Sequence, residues 1–106
     1  MKKRFCVLLL VCAVCCGVFA QTAADYFNQG YAYLSQGDYD RAITALNQAI
    51  RLYPNVADAY FLRGSAYYYK GDYDRAIVDY EAALRINPNH ANARQGLELA
   101  RQAKGR

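Results

Sequence analysis

Cysteine is absent from most of this chain, because all four cysteines lie near its start, at Cys6, Cys12, Cys15 and Cys16. Residues 21–106 therefore form no disulfide, and their stability must come from packing. The same stretch has no tryptophan, one histidine, His90, and no serine close to a recognisable base. Catalysis needs more such groups than this. We therefore expect a protein that is not an enzyme and has no cofactor, with His90 as a solvated turn residue.

Excess positive charge is also scarce. The formal net charge is +4, but Lys2, Lys3 and Arg4 supply three of the 13 basic residues, which leaves ten basic against nine acidic residues. A balance of +1 provides no basic face of the kind that neutralises phosphates. Nucleic acid is therefore not expected as a partner.

Residues 1–20 have the composition of a secretory signal peptide. A basic start is followed by an apolar run over residues 5–20, which ends in Val18-Phe19-Ala20. The run is shorter than the roughly 20 residues that a membrane-crossing helix needs. We predict a signal peptide at 1–20, cleavage after Ala20, and export to the periplasm or out of the cell.

Two membrane-tethered alternatives remain open. The segment could stay uncleaved as an anchor, or Cys12, Cys15 or Cys16 could carry a lipid. The residues before these cysteines are Val11, Val14 and Cys15, whereas lipoprotein signals usually have Gly, Ala or Ser there. Contact with a membrane is expected only in these two cases.

A block of seven residues recurs at a spacing of 34. The run Gly37-Asp38-Tyr39-Asp40-Arg41-Ala42-Ile43 returns at residues 71–77, and residues 23–56 match residues 57–90 at 17 of 34 positions. A helix-turn-helix unit of this length cannot bury its apolar face alone, so it must stack on a copy of itself.

The spacing and the residues resemble the tetratricopeptide repeat. Its signature positions are met in the first copy by Tyr26, Gly30, Tyr33, Tyr39, Ala42, Leu46, Ala49 and Pro54, and in the second by Tyr60, Gly64, Tyr67, Tyr73, Ala76, Tyr80, Ala83 and Pro88. The resemblance implies an all-α fold, an α-solenoid of two helix-turn-helix repeats and a C-terminal capping helix. The predicted domain is 21–106, with repeat one at 23–56, repeat two at 57–90 and the capping helix at 91–104.

Glycine, aspartate and proline mark the helix ends. Gly37 and Gly71 are expected to close the first helix of each pair in the left-handed conformation. Asp38 and Asp72 follow as N-caps, with Asp40 and Asp74 in the first turn, so these acidic pairs have a capping role and do not predict a metal site. Pro54 and Pro88 lie just beyond the second helix of each pair.

The second helix of repeat one has a single apolar stripe, which is expected to face the first helix. It comprises Tyr39, Ala42, Ile43, Leu46, Ala49 and Ile50. Gly30 and Gly64 are expected to let the two helix backbones come close. Arg63 stands where the family usually has Leu, and we expect its stem to pack while its charged end reaches water.

A second stripe on each first helix remains for a partner. By resemblance these residues line a concave groove for a peptide or protein segment, and they are Phe27, Asn28, Tyr31, Leu34, Phe61, Leu62, Ser65, Tyr68 and Tyr69. The alternative is that the aromatic residues fill the seam between neighbouring first helices. The chaperone-binding subclass has Lys and Asn where this chain has Phe27, Tyr31 and Leu62, so an apolar or aromatic-rich partner is expected instead.

These observations predict a non-catalytic, exported scaffold that binds a protein or peptide. A structural module that self-associates as a homo-oligomer is one alternative, since two repeats leave stacking faces open. A membrane-tethered envelope scaffold is the other.

Overall fold

The computed structural model describes residues 21–106, which form five α-helices and no strand. The helices are α1 (Ala23–Ser35), α2 (Tyr39–Leu52), α3 (Ala57–Lys70), α4 (Tyr73–Ile86) and α5 (Ala91–Lys104). The predicted all-α solenoid of two helix pairs and a final helix is therefore confirmed. None of these helices is both long and apolar enough to cross a membrane. The predicted signal peptide, 1–20, lies outside the described residues.

The helices form two layers. Each helix packs against the next one in the chain, and α3 also contacts α1 and α5, so the odd-numbered helices lie side by side. Among the described helices, α2 and α4 make no contact with each other and are joined through α3. This arrangement gives one continuous layer of first helices, with the second helices behind it.

The chain reverses between the two helices of each pair at a glycine. Gly37 has a φ of 80° and Gly71 a φ of 86°, which is the left-handed region that favours glycine. Asp38 then accepts a hydrogen bond from the backbone N–H of Arg41 at 3.3 Å, and Asp72 does the same in repeat two. Both predicted turns and both predicted N-caps are therefore confirmed.

The start of α1 is fixed by a reciprocal pair of hydrogen bonds. The backbone N–H of Asp25 donates to the Thr22 hydroxyl at 3.2 Å, and the backbone N–H of Thr22 donates to the Asp25 carboxylate at 2.9 Å. This capping box satisfies two amides that the helix itself leaves free. Thr22 is therefore the N-cap that begins α1.

A single large residue from each second helix fills the seam of its pair. Leu46 is fully buried, and a Cβ added to Gly30 would lie 2.5 Å from its Cγ. In repeat two, a Cβ on Gly64 would lie 3.1 Å from the ring of Tyr80. The glycines therefore make room for a large side chain of the facing helix.

Tyr80 also reaches the last helix. A Cβ on Gly96 of α5 would lie 2.7 Å from its ring, so this tyrosine lies between glycines of α3 and α5. Its hydroxyl donates to Ser65 Oγ at 3.2 Å, and burial raises the pKa of the Tyr80 hydroxyl. The side chain therefore stays protonated as a donor while it couples three helices.

Arg63 of α3 forms an ion pair with α4 and a hydrogen bond with α2. Arg63 donates from Nε and Nη2 to the carboxylate of Asp79, at 2.9 and 2.7 Å, and from Nη1 to Asn47 at 2.9 Å. The Asp79 side chain is only 4% exposed. The hydrogen bonds between Asp79 and Arg63 raise the pKa of the Arg63 guanidinium. The charged end of Arg63, which we expected to reach water, is bound mainly to a buried carboxylate of α4, and its side chain stays 22% exposed.

Two surface ion pairs repeat with the period of the sequence. Lys70 at the end of α3 pairs with Asp40 at the start of α2, at 2.5 Å, and Lys104 pairs with Asp74 at 2.6 Å. Asp74 and Lys104 lie one repeat of 34 residues after Asp40 and Lys70, so the two ion pairs are equivalent. Helix α5 therefore takes the place that the first helix of a third repeat would have.

We expect Gly30→Leu to lower the free energy of unfolding by about 1–3 kcal/mol, because the new side chain meets the buried Leu46. Urea titration followed by circular dichroism measures the change. Ala32→Leu is the control, since it adds a leucine at an exposed position of the same helix. Equal stability of Gly30→Leu and wild type would contradict the packing described for this seam.

Arg63→Gln should lower the free energy of unfolding by about 3–5 kcal/mol, because it leaves the buried Asp79 carboxylate without its partner. Repeat one has Gln29 and Ala45 at the equivalent positions. The double variant Arg63→Gln/Asp79→Ala copies that arrangement and should recover most of the loss. Thermal and urea unfolding of the three proteins give the comparison, and a double variant no more stable than Arg63→Gln would show that the ion pair is not the cause.

Candidate peptide-binding groove

Two connected cavities lie along the layer formed by the first helices. The α1–α3 cavity has a volume of about 200 Å³ and is lined by residues that include Phe27, Tyr31, Phe61 and Leu62. The α3–α5 cavity has a volume of about 240 Å³ and is lined by residues that include Phe61, Ser65, Tyr68 and Tyr69. Phe61 and Asn92 belong to both. We call the two cavities together the groove.

Seven of the nine residues predicted for the groove line these cavities, and two do not. Asn28 is exposed on α1 outside both cavities. Leu34 is partly buried against the core cluster of Ala42, Ile43 and Ala66. Leu34 therefore belongs to the seam between helices and not to the groove.

The seven lining residues differ in how much of their surface is exposed to a partner. Tyr31 is 58% exposed and Tyr69 is 62% exposed, whereas Leu62 and Ser65 are buried. The Ser65 hydroxyl donates to the backbone carbonyl of Phe61 at 3.0 Å and accepts from Tyr80. Leu62 and Ser65 therefore shape the floor of the groove, and the exposed tyrosines supply its accessible surface.

Tyrosine rings from three helices pack together at one end of the groove. Tyr39 stacks on Tyr69 with ring centroids 5.5 Å apart, and Tyr68 meets both Tyr69 and Tyr73 edge-on at 5.5 and 5.4 Å. Such aromatic pairs restrict the rotamers of rings that would otherwise be free. The exposed surface at Tyr69 is thus held in place before any partner arrives.

His90 closes the other end and differs from the solvated residue we expected. Its Nδ1 accepts a hydrogen bond from the backbone N–H of Ala93 at 3.1 Å, so it is the N-cap of α5. Its ring packs on Phe61 with centroids 5.1 Å apart, and its Nε2 lies 2.6 Å from Asp58. Because Nδ1 accepts, this geometry assigns the ring proton to Nε2, which donates to the carboxylate.

The charge lining the groove is negative. Among the described residues that line the two cavities there is no lysine or arginine, and Asp58 is the carboxylate. The nearby cations have partners elsewhere, since Lys70 and Lys104 pair with Asp40 and Asp74, and Arg63 with Asp79. The groove therefore combines aromatic surface with a negative field at one end.

Solved structures similar to this one come from several proteins. A crystal structure of MamA is 37% identical with a TM-score of 0.77, over 79% of this chain and 46% of that one. The first tetratricopeptide domain of Spaghetti (RPAP3), bound to the HSP90 peptide SRMEEVD, is 27% identical with a TM-score of 0.77, over 81% and 70%. The second such domain of human RPAP3, in complex with the HSP70 peptide SGPTIEEVD, is 29% identical with a TM-score of 0.73, over 76% and 67%.

The chain spans about half the length of the MamA structures that it matches. No curated protein is similar enough in sequence to count as a match. A sequence model described as tetratricopeptide repeat matches residues 27–91, which is more than half of the chain. With the helical pairs, the glycine turns and the structural neighbours in agreement, this protein belongs to the tetratricopeptide repeat family.

Proposed function

We propose that this protein is a non-catalytic, exported scaffold that binds a peptide or protein segment in the groove. The observation that carries the proposal is the row of accessible aromatic surface along α1 and α3, with Tyr31 and Tyr69 exposed and Phe61 between them. Two structural neighbours of the same family hold peptides, which supports a protein-interaction scaffold as the general role. Tyrosine suits such a surface because it offers a broad apolar face at low entropic cost.

The proposed partner segment is apolar or aromatic and is not an acidic tail. The peptides held by the RPAP3 domains both end in Glu-Glu-Val-Asp. In this groove a segment of that charge would meet Asp58, and no lysine or arginine of residues 21–106 lines the cavities. Unfavourable charge and the lack of a lysine or arginine donor in the described lining therefore select against it.

A random dodecapeptide library selected on residues 21–106 tests the groove, with dissociation constants then measured by fluorescence anisotropy. We expect peptides rich in aromatic residues and poor in Asp and Glu. Tyr31→Ala/Tyr69→Ala should weaken their binding by about tenfold or more, because interface aromatics often contribute over 1.4 kcal/mol.

Val78→Ala is the matched control, since Val78 is 62% exposed on α4, away from the groove. It should leave the affinity unchanged. Equal binding by wild type and the tyrosine variant, with both shown to be helical, would remove the groove as the binding site.

Export is a separate part of the proposal and rests on the sequence of residues 1–20. The intact mass of the protein isolated from its native source tests it. Cleavage after Ala20 leaves an unmodified chain that begins at Gln21. A mass that includes residues 1–20, or a lipid on a cysteine, would instead favour the tethered scaffold.

A further inference from the structure

A third cavity, larger than either of the two in the groove, lies beside them and was not predicted from the sequence. It has a volume of about 400 Å³ and opens between the N-terminal ends of α1 and α3 and the C-terminal end of α2. Its walls are almost entirely apolar and include Ala24, Phe27, Ala49, Tyr53 and Val56. It meets the groove at Phe27 and Asp58, which line both. We call it the repeat-one pocket.

The equivalent place in repeat two is filled by a side chain. A shift by one repeat converts Ala24, Phe27 and Val56 into Asp58, Phe61 and His90. There the His90 ring lies against Phe61 and bonds to Asp58, and the His90 side chain is only 11% exposed. An aromatic ring thus occupies in repeat two the position that stays open in repeat one.

Repeat one lacks the residues that fill the equivalent place in repeat two. Val56 is the N-cap of α3 but makes no side-chain capping bond, and Ala24 has no carboxylate to hold a ring. Tyr53 is 64% exposed and Val56 is 41% exposed at the rim. Clustered apolar exposure of this kind marks a surface for a partner more often than a solvated face.

Asp58 is the one charged residue among the described residues that line the pocket. Its side chain is 65% exposed, and its partner His90 approaches with Nε2–H of a neutral ring, because Nδ1 accepts from Ala93. Among residues 21–106, no lysine or arginine pairs with this carboxylate. A partner that enters the pocket meets apolar walls first and a negative charge at the boundary with the groove.

We propose that the repeat-one pocket receives an aromatic side chain of the partner segment, and that Asp58 pairs with a lysine or arginine next to it. The proposal rests on the proposed function and names the chemistry of the segment. The ring is inferred from repeat two, where Phe61 holds the imidazole of His90 at the usual aromatic distance. The cation is inferred from the unmatched charge of Asp58.

Two dipeptide probes test this assignment on 15N-labelled residues 21–106. N-acetyl-Phe-Lys-amide should produce saturable shifts at the amides of Ala24, Val56 and Ala59, all of which line the pocket. N-acetyl-Phe-Glu-amide should bind about two- to fivefold more weakly, as expected for the loss of one exposed ion pair. Asp58→Asn should make the two affinities equal, and it keeps an oxygen that accepts from His90.

A variant that copies repeat two should close the pocket. In Ala24→Asp/Val56→His the new ring is expected to lie against Phe27, and binding of the Phe-Lys probe should fall by about tenfold or more. Ala24→Asp alone is the matched control, because it adds the charge but leaves the cavity open and should retain binding. Should the double variant fail to fold, the probe comparison and Asp58→Asn still decide the question.

Three outcomes would overturn the assignment: shifts outside the pocket only, equal binding of the two probes by wild type, or unchanged binding by the folded double variant. Failure here is separable from failure of the proposed function. Library peptides that depend on Tyr31 and Tyr69, with dipeptides that do not reach Ala24 and Val56, would keep the groove and reject the pocket. The reverse result would keep the pocket and reject the groove.

Discussion

The contact on which this structure depends is the insertion of one large side chain from each second helix against a glycine of the first. Leu46 fills the space over Gly30, and Tyr80 fills the space over Gly64 and also over Gly96 of the next helix. These contacts fix the separation within each pair, and the sequence period carries the same spacing from one pair to the next. The first helices consequently lie side by side, and the cavities between them form the groove.

Positions at which the two repeats differ are informative about the surface. The turn residues and the glycines of the two seams recur, whereas Tyr31 is replaced by Ser65 and Leu34 by Tyr68. The groove is therefore not the same in its two halves, since the first half presents an exposed tyrosine where the second has a buried hydroxyl. An asymmetric lining can fix the direction in which a segment lies, which two identical repeats could not do.

Local and repeated features could be read from the sequence, whereas features that join distant helices could not. Gly37, Gly71, Asp38 and Asp72 each act within three or four residues of their own position, so their roles follow from neighbouring residues. Helical spacing placed Leu34 and Ser65 on the face for a partner, but it does not say how much of that face the adjacent helix covers. A signal for the open pocket did exist, since Val56 and His90 occupy equivalent positions and differ in their ability to fill a cavity and cap a helix.

Helix α3 is the one described helix that contacts all four others, and the Arg63 ion pair, Tyr80 and the Lys70 pair join it to α4 and α2. Solenoids open from their ends, because a terminal helix loses only the contacts to its neighbours. Opening of α3 requires that both flanking pairs separate, so its amides should exchange with solvent last. The helix that lines both cavities of the groove is thus expected to have the lowest population of open states, whereas fraying of α1 or α5 removes one wall of a cavity.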